Sequence, residues 1–204
     1  MNKVALRFGF VVAFSLAAAL LFFACASAPK EEIAATQAAI TAAQTDDVRT
    51  YAPDSLKDAE GTMAKATAEV QIQDNKFALS RDYKTASELL KEAKDKAAKA
   101  TTDAQANKAK TKADAEAVIA TLTPLLEDAK KALATAPKGK DTKADIEAMQ
   151  SDLKSAEEAE AAATQAMSQE KYMDALGNAN TAKAKASGVI DQVKAAKEKV
   201  KGKR

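Results

Sequence analysis

The sequence predicts an all-α protein, an elongated helical bundle of coiled-coil-like hairpins. Three observations predict it. Alanine supplies about a quarter of the 204 residues, and Lys, Glu, Asp, Thr and Gln fill much of the remainder, a composition that favours long helices. Glycine and proline number only 6 and 4, so interruptions are few. Apolar side chains recur at alternating spacings of three and four, the pattern of one helix lying along another. Aromatic residues make up 4% of the chain and tryptophan is absent, which leaves too few strand formers for a sheet.

The chain opens on a leader. Lys3 and Arg7 precede an apolar run over residues 8–23, closed by the small residues Ala24, Cys25, Ala26, Ser27 and Ala28. A positive start, an apolar middle and a small-residue exit describe a secretory signal. The same stretch approaches the ~20 apolar residues that span a bilayer. Three readings stay open: lipidation at Cys25, ordinary cleavage after Ala26, and an uncleaved membrane helix. The single cysteine cannot form an internal disulfide, and an exported thiol without a partner needs a use. Lipidation supplies one.

Residues 25–32 read as a polar tether and residues 33–47 as a first helix, with Ile33 and Ile40 on one side. Pro53 suits the first turn of a new helix. That helix carries the seam Leu56, Ala59, Met63, Ala66, Val70, Gln73 and Phe77. A break follows at Ser80-Arg81-Asp82, where Ser80 or Asp82 caps the next helix. Its seam is Ala86, Leu90, Ala93, Ala97, Ala100 and Ala104. Between 101 and 114 alanine is the only apolar residue type, which suits a solvated connecting helix or a hinge. Apolar content returns at Val118, Leu122, Leu125, Leu126, Ala129 and Leu133, with Pro124 marking a kink or a fresh start after Thr123. Ala136-Pro137-Lys138-Gly139-Lys140 is the strongest turn signal. Thr142 to Asp145 reads as a capping box, ahead of a helix lined by Ile146, Met149, Leu153, Ala156, Ala163 and Met167. A last helix carries Tyr172, Ala175, Ala179, Ala182, Ala186, Val189, Val193, Ala196 and Val200.

The two halves echo each other. Leu56-Lys57-Asp58-Ala59-Glu60 matches Leu153-Lys154-Ser155-Ala156-Glu157, and Asp82-Tyr83-Lys84-Thr85-Ala86 matches Lys171-Tyr172-Met173-Asp174-Ala175. The first half holds eight more residues between these landmarks, close to two helical turns, which would lengthen a hairpin arm. The organisation expected is a signal over 1–24, a tether over 25–32, a helical unit over 33–110 and a degenerate repeat over 111–204.

Two resemblances add to this reading. The end of the leader, Leu21-Phe22-Phe23-Ala24-Cys25, resembles a bacterial lipoprotein signal, with Ala24 in the small position before the lipidated cysteine. Leu21 lies one place further back than that family's usual leucine. The resemblance implies that Cys25 becomes the mature N-terminus, bearing a thioether diacylglycerol and an amide-linked acyl chain. Two or more chains, at ~0.8 kcal/mol per buried methylene, hold a protein durably on a membrane. Ala26 after the cysteine is compatible with sorting to the outer membrane, since the inner-membrane retention signal of some bacteria is an aspartate there. Tyr51-Ala52-Pro53-Asp54-Ser55-Leu56, with Ala59-Glu60 and later Asp82-Tyr83 and Ala86, resembles domain-of-unknown-function family 4398. That family comprises small helical domains common in bacterial envelope proteins, sometimes ahead of a peptidoglycan-binding domain. Little chain remains here after the last helix for such a domain.

Without Lys3 and Arg7 the remaining 29 basic residues balance 29 acidic ones. That neutrality argues against nucleic acid, whose binding rests on phosphate neutralisation. No histidine, phosphate loop or metal-ligand cluster suggests catalysis, a metal or a cofactor. Tyr83 and Tyr172 read as plugs at hairpin mouths with wet hydroxyls, ahead of a role in ligand contact. The basic tail from Lys194 to Arg204 suits a helix C-terminus, with contact to anionic polymer or lipid as the sharper alternative. Pairs of Glu88 and Glu92 with Lys91 and Lys96 read as a solvated face. The function expected is a non-catalytic, lipid-anchored envelope lipoprotein with a structural or protein-interaction role, its body in the periplasm or at the cell surface. Its partners would be the membrane and another envelope protein or wall polymer. The rival is a helical binding module for a peptide, lipid or host ligand.

Overall fold

The computed structural model describes residues 27–139 and 142–201, and these fold as helices joined by short turns, with no strand among them. The all-α expectation holds. The signal over 1–24 and Cys25 lie outside the described residues. The chain divides into two compact units, Met1–Gln105 and Ala106–Arg204.

The first unit holds α1 (Lys30–Ala43), α2 (Asp46–Tyr51), α3 (Pro53–Asp74), a 3-10 turn (Ala78–Ser80) and the first part of α4 (Lys84–Ala134). Two boundaries differ from expectation. Helix α1 starts inside the expected tether, with Glu31 and Glu32 in its first turn, where acidic side chains favour the helix dipole. The expected helix over 33–47 is also split. It stops at Ala43, and Thr45 caps α2 by accepting a hydrogen bond from the Val48 amide at 3.3 Å. Pro53 opens α3 as predicted.

Leu56, Ala59, Met63 and Ala66 on α3 pack with Leu90, Ala93, Ala97, Ala100 and Ala104 on α4, and Ile40, Ala43 and Val48 complete the core. Polar bonds fix the register of these helices. The buried Thr36 hydroxyl donates to the Leu90 carbonyl at 3.2 Å, and the Ser55 hydroxyl donates to Asp103 at 2.7 Å. Lys96 reaches Asp58 at 3.0 Å and Glu92 at 2.8 Å. The seam of α3 ends one residue early, however. Helix α3 stops at Asp74, and Phe77 leaves the core and is 75% exposed.

The second unit holds the rest of α4, α5 (Lys143–Ser168) and α6 (Tyr172–Lys201). Leu126, Ala129, Met149, Leu153, Ala156, Ala186, Val189 and Val193 form its largest cluster, and Leu122, Ala163, Ala179 and Ala182 form a second. On α5 the buried side chain near the end is Ala166, while Met167 is half-buried. On α6 the predicted seam is buried from Tyr172 to Val193, and Val200 is 41% exposed.

Helix α4 is unbroken across the alanine-only stretch. Only Ala104 of that stretch joins the first core, while Ala106, Ala109 and Ala113 are exposed, so it is a solvated run of helix rather than a hinge. Ala115, just past it, packs with Ala166 and Ala175 in the second unit. Pro124 lies inside the helix without ending it. Its ring removes the donor for the Ala120 carbonyl, and both residues are on an exposed face, where water can serve that carbonyl. The capping box at Thr142 is not formed. The Thr142 hydroxyl instead accepts from the Gly139 amide at 2.8 Å and donates to the Pro137 carbonyl at 2.9 Å, which ties the turn to itself.

Helix α5 ends in a Schellman motif. The Lys171 amide donates to the Ala166 carbonyl and the Glu170 amide to the Met167 carbonyl. The motif wants a left-handed residue, usually glycine, and Glu170 supplies it at φ 59°. Glu170→Gly is expected to stabilise the protein by ~1 kcal/mol in urea unfolding, by removing the cost of that conformation. Pro124→Ala restores a hydrogen bond in mid-helix and is expected to raise the unfolding free energy by up to ~3 kcal/mol. No change, or a loss, would show that the proline costs the helix nothing at this position.

Candidate functional site at the first hairpin

A polar network of side chains and backbone sits where α3 turns into α4. Tyr83, the residue before α4, is buried, and its hydroxyl donates to Asp74 at the end of α3, at 2.5 Å. The plug predicted at this hairpin is therefore present, but its hydroxyl is bonded to protein. Gln73, the polar member of the α3 seam, is buried for a related reason. Its amide nitrogen donates to Glu69 at 2.6 Å, and its amide oxygen accepts from the Asp82 backbone at 3.1 Å.

Arg81 closes the network. Its guanidinium donates to the Asp74 carbonyl at 2.8 Å and to the Lys76 carbonyl at 3.1 Å, two oxygens that the end of α3 leaves without amide donors. Of the two predicted caps for α4, Asp82 serves: its carboxylate accepts from the Lys84 amide at 2.9 Å. Ser80 donates instead to the Phe77 carbonyl at 2.8 Å, inside the turn. The base of the hairpin is thus tied down. Beyond it, Phe77 is 75%, Leu79 67% and Ile72 53% exposed.

The start of the described chain meets this hairpin. Ala28 packs against the cluster of Val70, Tyr83 and Ala86, and Ser27, Ala28, Asp74, Arg81 and Tyr83 share the wall of one surface groove. The hydrogen bond to Asp74, burial, and the Asp74 charge together push the Tyr83 phenol above its ordinary pKa.

The remaining predicted residues fall elsewhere. Cys25 lies outside the described residues. Tyr172 is buried in the second unit, with the Lys112 ammonium 5.8 Å from its ring centre, a cation–π contact. In the basic tail Lys197 donates to the Thr135 hydroxyl at 2.7 Å and Lys194 faces Asp191 at 3.5 Å. Lys199 and Lys201 occupy the last turn of α6, where cations favour the dipole. Of the charged face on α4, Lys96 pairs with Glu92, and Glu88 pairs with Lys84 at 4.0 Å. The Glu92 and Asp58 carboxylates hold the Lys96 pKa above its ordinary value. Among the described residues no group of three or more acidic, histidine or cysteine side chains could hold a metal ion, and no helix is long and apolar enough to cross a membrane.

Residues 31–117 match the family model described as domain of unknown function (DUF4398). The match covers the motif from Tyr51 to Ala86, including every residue of the hairpin network. No curated protein and no solved structure matches the chain.

The exposed tip was hidden in the sequence by periodicity. Phe77 follows Gln73 by four and so extends the α3 seam on paper, although the helix has already ended. The role of Arg81 had a weak signal: a basic residue a few positions past a helix end can satisfy its last carbonyls.

Tyr83→Phe deletes the bond to Asp74 and is expected to lower the thermal midpoint while leaving helix content unchanged by circular dichroism. The pH dependence has a definite sign. A phenol whose pKa is raised on folding adds stability that is fully present below the unfolded value of about 10, and that stability is lost as pH rises through the folded value. Ultraviolet titration should show one tyrosine ionising above the ordinary range in the native protein, and that component should vanish in the Phe variant.

Proposed function

We propose that the protein is a non-catalytic, lipid-anchored lipoprotein of the bacterial cell envelope whose helical body has a structural or protein-interaction role. The observation that carries this reading is the placement of the lone Cys25. It closes an apolar run that starts with Lys3 and Arg7, and it stands five residues before the start of a charged, water-compatible helical body. Acyl chains on Cys25 would give such a body a durable hold on a membrane. The outer membrane, with the body in the periplasm or at the cell surface, is the location proposed.

The burial of side chains favours a structural element over a receptor. Leu56, Met63, Leu90, Met149, Leu153 and both hairpin tyrosines are packed inside the two units, and alanine-lined seams leave small gaps between helices. A helical binding module would instead present such side chains along a groove. The match of residues 31–117 to a family of unknown function agrees with either role.

Replacing Cys25 with serine tests the anchor. The unmodified chain should leave the membrane fraction for the soluble one, and the intact mass of the wild-type protein should exceed the cleaved sequence by the mass of its lipid. A serine variant that sediments with membranes as before would refute the anchor, and ordinary cleavage after Ala26 would show as a lipid-free mass.

A further inference from the structure

The two hairpins differ in a way that marks one of them. Of the eight extra residues in the first half, three lengthen α3 past its Leu56 landmark relative to α5 past Leu153, and five lie in the turn. The expected lengthening by two helical turns is therefore mostly a longer tip. The α5–α6 turn is short and polar, with Gln169, Glu170 and Lys171. The α3–α4 tip instead holds Phe77 and Leu79 in solvent on a base fixed by Arg81, Gln73 and Tyr83. A rigid loop that spends its extra length on exposed apolar groups needs a cover for them.

Position identifies the cover. Ser27 and Ala28 lie against the same hairpin, beside Asp74, Arg81 and Tyr83. Cys25 is two residues before Ser27, so covalent geometry alone keeps it within ~7 Å of that end of the unit. Lys76 stands beside the exposed Phe77, while Arg81 is held by carbonyls at the base of the tip, where Asp74 and Asp82 offset its charge. A cation next to an exposed aromatic side chain suits anionic lipid headgroups. An aromatic and an aliphatic side chain beside a cation is also the make-up of interfacial anchors.

We infer that the α3–α4 tip is a second membrane contact, in which Phe77 and Leu79 enter the interface of an anionic phospholipid bilayer. The inference rests on the lipid anchor proposed above. One chemical bond at Cys25 would leave the first unit free to swivel, whereas an apolar tip at the same end fixes which side of it faces the lipid.

The test uses the full-length, membrane-extracted protein carrying Leu79→Cys, labelled with an environment-sensitive fluorophore. It is reconstituted into phosphatidylethanolamine–phosphatidylglycerol vesicles with a nitroxide on the lipid headgroups. Phe77→Cys repeats the measurement, and Thr50→Cys on α2, past the end of α1 opposite Ala28, is the control within the same unit; all three positions are exposed, so the labels should spare the fold. The expected result is a blue shift and a loss of emission at 77 and 79, with neither at 50. Flotation of the vesicles separates the failures. Protein that floats while position 79 emits as in water overturns the tip contact and leaves the anchor standing. Protein that does not float overturns both. A blue shift without nitroxide quenching assigns the tip to a second copy or another protein, and overturns the membrane contact.

Discussion

Close approach of helix backbones is the constraint on which both units depend. Ala59, Ala66, Ala93, Ala97 and Ala100 are fully buried in the first unit, and Ala129, Ala156, Ala163, Ala179, Ala182 and Ala186 in the second. A methyl group at each crossing lets neighbouring helices pack tightly, and a larger side chain there would wedge them apart. The cost is a weak hydrophobic drive, because a methyl buries little area at ~25 cal/mol per square ångström. Helix propensity has to make up the difference, and alanine supplies that too. The larger side chains, Leu56, Leu90, Leu122 and Val189 among them, act as bolts spaced along otherwise smooth seams.

Smooth seams slide unless something fixes their register. Polar bonds between helices do so here, as in the Thr36 hydroxyl on Leu90, Ser55 on Asp103, Lys96 on Asp58, Lys130 on Glu157 and Lys185 on Asp152. Their side chains are mostly half-exposed, where ion pairs stabilise little, so their value is positional. No buried side-chain nitrogen or oxygen among the described residues is left without a partner. The same economy explains the first hairpin. The end of α3 leaves carbonyls without amide donors, and Arg81 and the phenol of Tyr83 make it rigid, which allows apolar groups to be held in water at the tip.

Much of this was legible in the sequence, because three-four spacing is a direct record of helix faces. The seams of α3, α4 and α6 were readable nearly residue by residue, as was the start of α3 at Pro53. Errors gathered where a helix ends, since periodicity carries no stop signal. Phe77 kept the seam's spacing after the helix had stopped, and Thr142 offered a capping pattern whose hydroxyl found nearer partners in its own turn. Pro124 reads as a breaker by local rules, yet packing on both sides of it keeps α4 whole. The hairpin network could not have been read, because Tyr83 and Asp74 are nine residues apart and meet only through the shape of the turn. The lipid anchor proposed at Cys25 is the opposite case: it rests on the leader's composition alone.

The alanine seams also bear on how the protein meets temperature. The heat-capacity change of unfolding scales with newly wetted apolar area, and a core made of methyl groups wets less of it per residue than one made of leucine and phenylalanine. The stability curve of such a molecule is broad and shallow. Its stability would change little between cold and warm conditions before unfolding sets in.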